Sequence, residues 1–463
     1  MGEGRCRGFG GISVPTASNA VSGAPAGGTV DVAEFIDKQP VGRFQIHLLL
    51  LCAAVLFIDG FDTQAIGYVA PDLAREWKLS RGTLGPVFSA GLFGLMIGAL
   101  IFGPVADRIG RKNIIVLSTV AFGVGTLITI FAQDIYWLIA LRFLTGLGLG
   151  GAMPNAVALT SEFSPHRRRA TMVMAMFCGF SIGAALGGLL AAALIPMFGW
   201  RSIFLIGGIA PLIYAPLLAR MLPESIRFLA LTGRDDARLG QLLTRVAPSA
   251  EFPPGTRFGV HEPKLEGIPV AHLFDQGRTL TTLLFWVVFF MSLLDLYLLS
   301  NWLPTVLNDL GASIAMAAAI GAMLQVGGVI GTFTLGNFID RFSFRALALT
   351  YLVASVAITA IGFSGHSIAL ATAAIFCAGF CIVGGQIASN ALAATYYPTT
   401  MRSTGVGWAL GIGRVGSIVG PLVGGVMISN HVGVEALFTT AAVPALCACL
   451  AAFALSRTAA RKG

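Results

Sequence analysis

Twelve stretches of about 20 mostly apolar residues run through the chain, and that is the length a helix needs to cross the hydrocarbon of a bilayer. The first six lie at 44–69, 83–106, 114–132, 135–161, 170–195 and 202–222. The second six lie at 279–307, 314–339, 346–363, 368–395, 403–429 and 434–456, beyond a polar segment at 223–278. Charged residues are only 11% of the 463, against about 25% in an ordinary soluble protein. So little charge cannot cover a water-facing surface, and the mean hydropathy of +0.81 agrees. The expectation is an all-α integral membrane protein. Its 58 glycines suit a bundle in which helices must approach closely without a hydrophobic drive between them.

Basic residues orient the chain by the positive-inside rule. With both termini cytoplasmic, twenty-four Lys and Arg fall on that side, among them Arg108, Arg111, Lys112, Arg167, Arg168 and Arg169. Arg75, Lys78, Arg81 and Arg201 fall outside, while Arg142 and Arg414 lie within spans. The net charge of +8 therefore reflects topology, and no nucleic-acid partner is expected. The first 43 residues hold no apolar run, so no cleavable signal peptide is expected. They read as a flexible tail, with a short interfacial helix in VDVAEFIDKQPVGRFQ before the first span. The organisation expected is a tail at 1–43, a six-helix half at 44–222, a cytoplasmic segment at 223–278, a second half at 279–456 and a tail at 457–463.

An offset of 233 residues maps the first half onto the second without gaps. Pro71 falls on Pro304, Gly94 on Gly327, Asp107 and Arg108 on Asp340 and Arg341, Pro165 on Pro398, and Arg169 on Arg402. Glycine matches alone could be chance, but an Asp-Arg pair, two prolines and an Arg at one offset could not. Two halves in the same orientation, joined by a cytoplasmic segment, describe a parallel repeat about an axis along the membrane normal. Transporters of that design hold substrate near mid-membrane between the halves and rock them for alternating access.

After the second span comes GPVADRIGRK at 103–112, which resembles the signature loop of the major facilitator superfamily, and GNFIDRFSFR at 336–345 is its degraded copy. The resemblance implies the major facilitator fold and a gate. In that gate Gly103 admits a close neighbour, while Asp107 pairs with basic residues on a neighbouring helix end in one state and releases them in another, with Arg108 and Arg111 beside it and Asp340 and Arg341 as the second copy. A plain topological anchor would explain the basic residues as well.

Asp59 and Asp62 sit inside the first span in LFIDGFDTQAIG, spaced i, i+3 on one helix face. A mid-span carboxylate costs roughly 2.5–3.5 kcal/mol on insertion scales, so such residues usually serve a function, here proton carriage. Together with RFLTGLGLGGAMPNAVALTSEF at 142–163, MFCGFSIGAALGG, LPESIRFL and GVGWALGIGRVGSIVGP at 405–421, the DGFD run resembles the aromatic acid:proton symporters over nearly the whole chain. Resemblance implies import of a 4-hydroxybenzoate-like carboxylate with protons, across a bacterial inner membrane, with Asp59 and Asp62 required. Another organic anion, such as a sugar acid or dicarboxylate, or drug export, is the alternative.

Two arginines fit that chemistry, because a guanidinium binds a carboxylate bidentately and keeps its charge. Arg414 is expected to hold the substrate and Arg142 to join the proton-coupling network. Asn155, Gln386 and Asn390 are candidates for a ring hydroxyl, and Trp408 for stacking on the ring. Asp295 in SLLDLYLLSNW is the repeat image of Asp62 and departs from the family's usual apolar residue, so it is a candidate for setting substrate choice. Glu162 is expected to pair with the arginines that follow it. The six histidines are scattered, and no HExxH or CxxC occurs, so no metal, cofactor or enzymatic activity is expected. The unit expected is a monomer.

Overall fold

The computed structural model describes residues 29–232, 236–250, 252–253, 256–259, 270–275, 277–365, 367–397 and 401–460. Among them twelve helices are long and apolar enough to cross a membrane. Spans 1 to 6 are Arg43–Glu76, Arg81–Ile109, Arg111–Thr129, Ile135–Glu162, His166–Phe198 and Arg201–Met221. Spans 7 to 12 are Thr279–Asp309, Ile314–Gly336, Arg341–Gly362, Ile368–Tyr396, Thr404–Ser429 and Val434–Thr458. Large apolar side chains such as Leu100, Phe131, Ile213, Val356 and Leu450 stand exposed around the bundle, as a surface facing lipid requires.

Two spans depart from their apolar runs. Span 1 continues two turns past residue 69, because its polar end is satisfied by span 6. Trp200 N donates to Asp72 at 3.1 Å, and Glu76 accepts from Trp200 Nε1 at 2.8 Å and Arg201 at 2.7 Å. Span 4 is interrupted at Gly150–Gly151, between helical stretches Ile135–Leu149 and Ala152–Glu162. The paired glycines are poor helix formers, and each lies hard against a neighbour: Gly150 against the backbone of span 2 and Gly151 against Ser118 of span 3.

The repeat is visible in the packing. Span 1 lies on 5 as 7 lies on 11, span 2 on 4 as 8 on 10, and span 3 on 6 as 9 on 12. It persists at single contacts. Gly94 abuts the Phe143 carbonyl and Gly327 the Phe376 carbonyl, while Gly183 abuts Phe57 and Gly416 abuts Phe290. All four pairs obey the offset of 233. A Cβ at any of these positions would collide with main chain, so the glycines set the helix spacing within each half.

Across the halves, span 5 packs on span 8, span 2 on span 11, and span 1 on span 7. These contacts concentrate toward the face away from the basic loops, hereafter the far face. Gly67 touches the backbone of Ser300 and Asn301, Gly188 meets Ala322, and Gly85 meets Pro421 and Gly425. There Arg81 also pairs with Asp309 at 2.8 Å, the one ion pair between the halves among the described residues. Nearer the basic face, a Cβ at Gly103, Gly336, Gly407 or Gly411 would meet nothing within 4 Å.

On the basic face a short helix does precede span 1. The helix Val32–Lys38 buries Val32 and Ile36 in a cluster with Leu48 and Leu56 of span 1 and with Leu239, Leu242, Leu243 and Val246 of the helix Asp236–Val246. Thr29–Asp31 pairs in parallel with Arg257–Gly259. Asp31 caps the short helix by accepting from Ala33 N and Glu34 N.

Candidate functional site

Asp59 and Asp62 are both fully buried near the middle of span 1, yet they face different partners. The i, i+3 step turns one side chain about 60° from the other, enough to separate them in a crowded bundle. Asp62 points into the N-terminal half. Arg142 Nη2 donates to its Oδ2 at 3.0 Å and Nη1 to its Oδ1 at 3.5 Å, and Thr126 Oγ1 donates to Oδ1 at 2.7 Å. Arg142 is itself buried, with its guanidinium 5.6 Å from the Phe204 ring centroid. This carboxylate has its counter-ion in place.

Asp59 is different. Its Oδ1 accepts from Thr63 Oγ1, one turn on, at 3.0 Å, and its Oδ2 has no protein partner. It lies in the field of Arg414 of span 11 and of Asp62. Arg414 is half-buried and makes no ion pair among the described residues. Its Nη1 is 3.5 Å from the Tyr297 hydroxyl, and its Nη2 is 3.2 Å from Met153 Sδ of span 4, so it reaches from one half to the other. Tyr297 lies in the field of both Asp59 and Arg414. An acid with a free oxygen and a guanidinium with no carboxylate partner thus converge at mid-depth between the halves, and that arrangement can receive an anion.

The repeat locates a further polar group. Met153 maps to Gln386 and Arg414 to Ser181, so Gln386 on span 10 holds the position from which Met153 meets the opposite half. Neither amide atom of Gln386 has a partner, and Asn390 Oδ1, one turn on, has none either. Asn155 is another matter: its amide donates to the Gly151 carbonyl at 2.8 Å within its own span, which accounts for it without a substrate. Trp408 does not join the cluster. It stacks on Trp286 at 6.0 Å and 24°, about 9 Å along the helix from Arg414. Asp295 is fully buried and neither carboxyl oxygen has a partner.

The loop between spans 2 and 3 differs from expectation in two respects. Gly103 is open around its Cα and forms no close helix crossing; the close glycines of that span are Gly94 and Gly98. Glu162 pairs with Arg111 at 2.6 Å, and with Ser225 Oγ at 2.6 Å, in place of the arginines that follow it. Arg167 and Arg169 donate instead to the carbonyls of Gln39 and Ser164. Asp107 and Arg108 are exposed, and Asp107 makes no ion pair among the described residues. Gly110 turns the chain with φ +97° beside Glu224, which accepts from Lys112 N at 3.1 Å. Its repeat image is Ser343, with φ +51° in the first turn of span 9. Arg341 lies over the Phe342 ring at 5.3 Å, and the Asp340 side chain lies outside the described residues.

Tyr297, Thr126, Thr63 and Met153 went unnoticed in the sequence. Thr63 had a local signal, four residues from Asp59, and Met153 could have been found as the image of Gln386. Thr126 and Tyr297 sit in long apolar runs and acquire meaning only from neighbouring spans.

Comparison with known proteins agrees with this picture. The sequence profile described as Major Facilitator Superfamily matches residues 52–253 and 285–463. A gallate transporter of Pseudomonas putida is 43% identical over 432 residues, covering 93% of this chain and 96% of its own. A 4-hydroxybenzoate transporter of Pseudomonas aeruginosa is 43% identical over 426 residues, covering 91% and 94%. Among solved structures, the xylose transporter of Escherichia coli, in a partially occluded inward open conformation, superposes with a TM-score of 0.70 at 15% identity, covering 88% of this chain and 97% of that one. With its twelve spans, its internal repeat and these relatives, the chain is a transporter that belongs to the Major Facilitator Superfamily.

Proposed function

We propose that the chain imports a small aromatic carboxylate by proton symport, through alternating access, across a bacterial inner membrane with both termini cytoplasmic. The observation that carries this reading is the mid-depth juxtaposition of Arg414, which has no carboxylate partner, with Asp59, which has a free oxygen. Relatives named as gallate and 4-hydroxybenzoate transporters support a ring acid as the cargo.

In this reading Arg414 binds the substrate carboxylate through its guanidinium fork, and the Tyr297 hydroxyl holds that fork in position. Gln386 and Asn390 face the ring substituents. Asp59 carries the coupled proton, because protonation removes the negative charge that would repel an incoming carboxylate. The Asp62–Arg142 pair fixes span 1 against span 4 and keeps a positive field beside Asp59. The halves at 44–222 and 279–456 move against each other, with the far-face contacts parting when the cleft opens outward. The loops at Asp107, Arg108 and Arg111, and at Asp340 and Arg341, come together when the basic face closes.

The test is uptake of labelled 4-hydroxybenzoate into proteoliposomes, with and without an imposed proton gradient. Gradient-driven accumulation, lost in Asp59→Asn while the protein still inserts, is expected. Uptake of a sugar acid or dicarboxylate with no uptake of any ring acid would overturn the substrate, and equal accumulation without a gradient would overturn the coupling.

A further inference from the structure

Asp295 lies on span 7, one helical turn past Ser292, and is fully buried. Neither carboxyl oxygen has a protein partner among the described residues. The repeat accounts for this isolation. Asp295 is the image of Asp62, whose charge is met by Arg142 and Thr126. At the same offset Arg142 becomes Ile375, and Thr126 becomes Thr359, whose hydroxyl donates to the Ser355 carbonyl at 2.9 Å. The C-terminal half thus has the acid without its counter-ion.

No neighbouring span supplies one. From span 9, Tyr351 shares the surroundings of Asp295, with Ser292 of span 7 and Cys381 of span 10 beside it. The Tyr351 hydroxyl is 3.2 Å from Ser389 Oγ of span 10. Span 8 has no ionisable residue between Ile314 and Gly336, and span 12 has Glu435 and Arg457 near its ends, with Cys447 and Cys449 between. Arg414 of span 11 and Asp59 of span 1 act on Tyr297, two residues on and turned away from Asp295 along span 7. An ionised carboxylate this deeply buried, with no cation to meet it, is strongly disfavoured. The charge must be met by a proton in at least part of the cycle. The hydroxyls of Tyr351 and Ser389, bonded to each other in the same surroundings, are able to pass one along.

We propose that Asp295 is a second proton-binding site, housed in the C-terminal half, which loads and releases its proton as that half changes its packing during transport. Asp59 in the N-terminal half and Asp295 in the C-terminal half then give each half one titrating acid. The chemistry is a proton transfer only: the Asp295 carboxylate gains a proton from one aqueous side and returns it to the other. The inference rests on the proton-coupled reading above and adds a second site to it.

The experiment measures the coupling ratio of the full-length chain in proteoliposomes, from the steady-state accumulation of labelled 4-hydroxybenzoate at graded imposed proton gradients. Asp295→Asn is expected to lose one proton from that ratio, so accumulation falls about tenfold for each tenfold gradient imposed. Exchange of labelled for unlabelled substrate, which moves no net protons, persists in the variant, and Asp295→Glu keeps the wild-type ratio. An unchanged ratio in Asp295→Asn overturns this inference and leaves symport through Asp59 standing. A wild type with no proton dependence overturns both. If Asp295→Asn abolishes exchange, infrared difference spectra of the purified protein decide the matter. A protonated-carboxyl band that titrates in the wild type and is missing from the variant supports the site, and the absence of any such difference refutes it.

Discussion

Replacing Asp62 by Asn should cost far more than breaking an ordinary ion pair, and removing Arg142 as well should return most of that cost. A surface ion pair contributes about 0–1 kcal/mol, because water screens it and its side chains are free to wander. Asp62 and Arg142 are 0% and 3% exposed, so neither has water to fall back on. Two guanidinium contacts at 3.0 and 3.5 Å and the Thr126 hydroxyl at 2.7 Å hold the carboxylate. Leaving one partner of such a pair unmatched costs about 3–5 kcal/mol, most of it from the stranded charge. Asp62→Asn keeps the shape and one acceptor oxygen, so the loss isolates charge from packing. Arg142→Gln strands the acid in turn. The double variant Asp62→Asn/Arg142→Gln has no stranded charge, and its loss should fall at least ~2 kcal/mol short of the sum of the two single losses. The assay is a double-mutant cycle on stability in detergent, followed by fluorescence-detected gel filtration after heating, with substrate exchange as a check on the site. Single losses below about 1 kcal/mol, or losses that simply add, would refute the claim that this pair is a buried structural unit.

Arg414→Lys should fold normally and weaken substrate binding about 10–100-fold, since one charge-assisted hydrogen bond of about 1.5–3 kcal/mol is lost while the charge remains. The half-saturation concentration for uptake is the readout, and an unchanged value would remove Arg414 from the site. Asp309→Ala should favour the outward-open state by at most a few-fold, because the Arg81 and Asp309 side chains are 28% and 42% exposed and the pair contributes no more than ~1 kcal/mol. Thiol labelling of a cysteine placed at Thr305, near the far-face end of span 7, reports that shift. Ser343→Gly should stabilise the chain by ~1 kcal/mol, because Ser343 holds a backbone conformation that glycine adopts freely. Gly110→Ala should destabilise it, since φ is +97° and the added methyl would run into the Glu224 carboxyl.

The spans and their pairing were legible because hydrophobic length and the offset of 233 are properties of the chain itself. The same offset carries into the glycine contacts, since Gly94 and Gly327 meet the carbonyls of residues that are themselves images of each other. The two acids of span 1 were legible as a pair, but their separate duties were not. The direction each faces depends on Thr126, Arg142, Arg414 and Tyr297, which come from four other spans. Charge patterning suggested that Glu162 would find its arginine nearby, whereas the fold brings Arg111 from fifty-one residues earlier. The short helix ahead of span 1 was legible in the amphipathic segment there, whereas its packing of Val32 and Ile36 against the apolar face of Asp236–Val246, two hundred residues away, was not.

The pairing of Thr29–Asp31 with Arg257–Gly259 bears on where this chain can be divided. Those two short strands enclose everything from residue 32 to residue 256, so the N-terminal half owns most of the polar segment that follows its last span. A split gene cut midway through that segment would strand half of a strand pair and part of the buried cluster on the wrong fragment. One cut just beyond Gly259 would leave both with the first fragment, and it is there that two separately made pieces should reassemble into a working carrier.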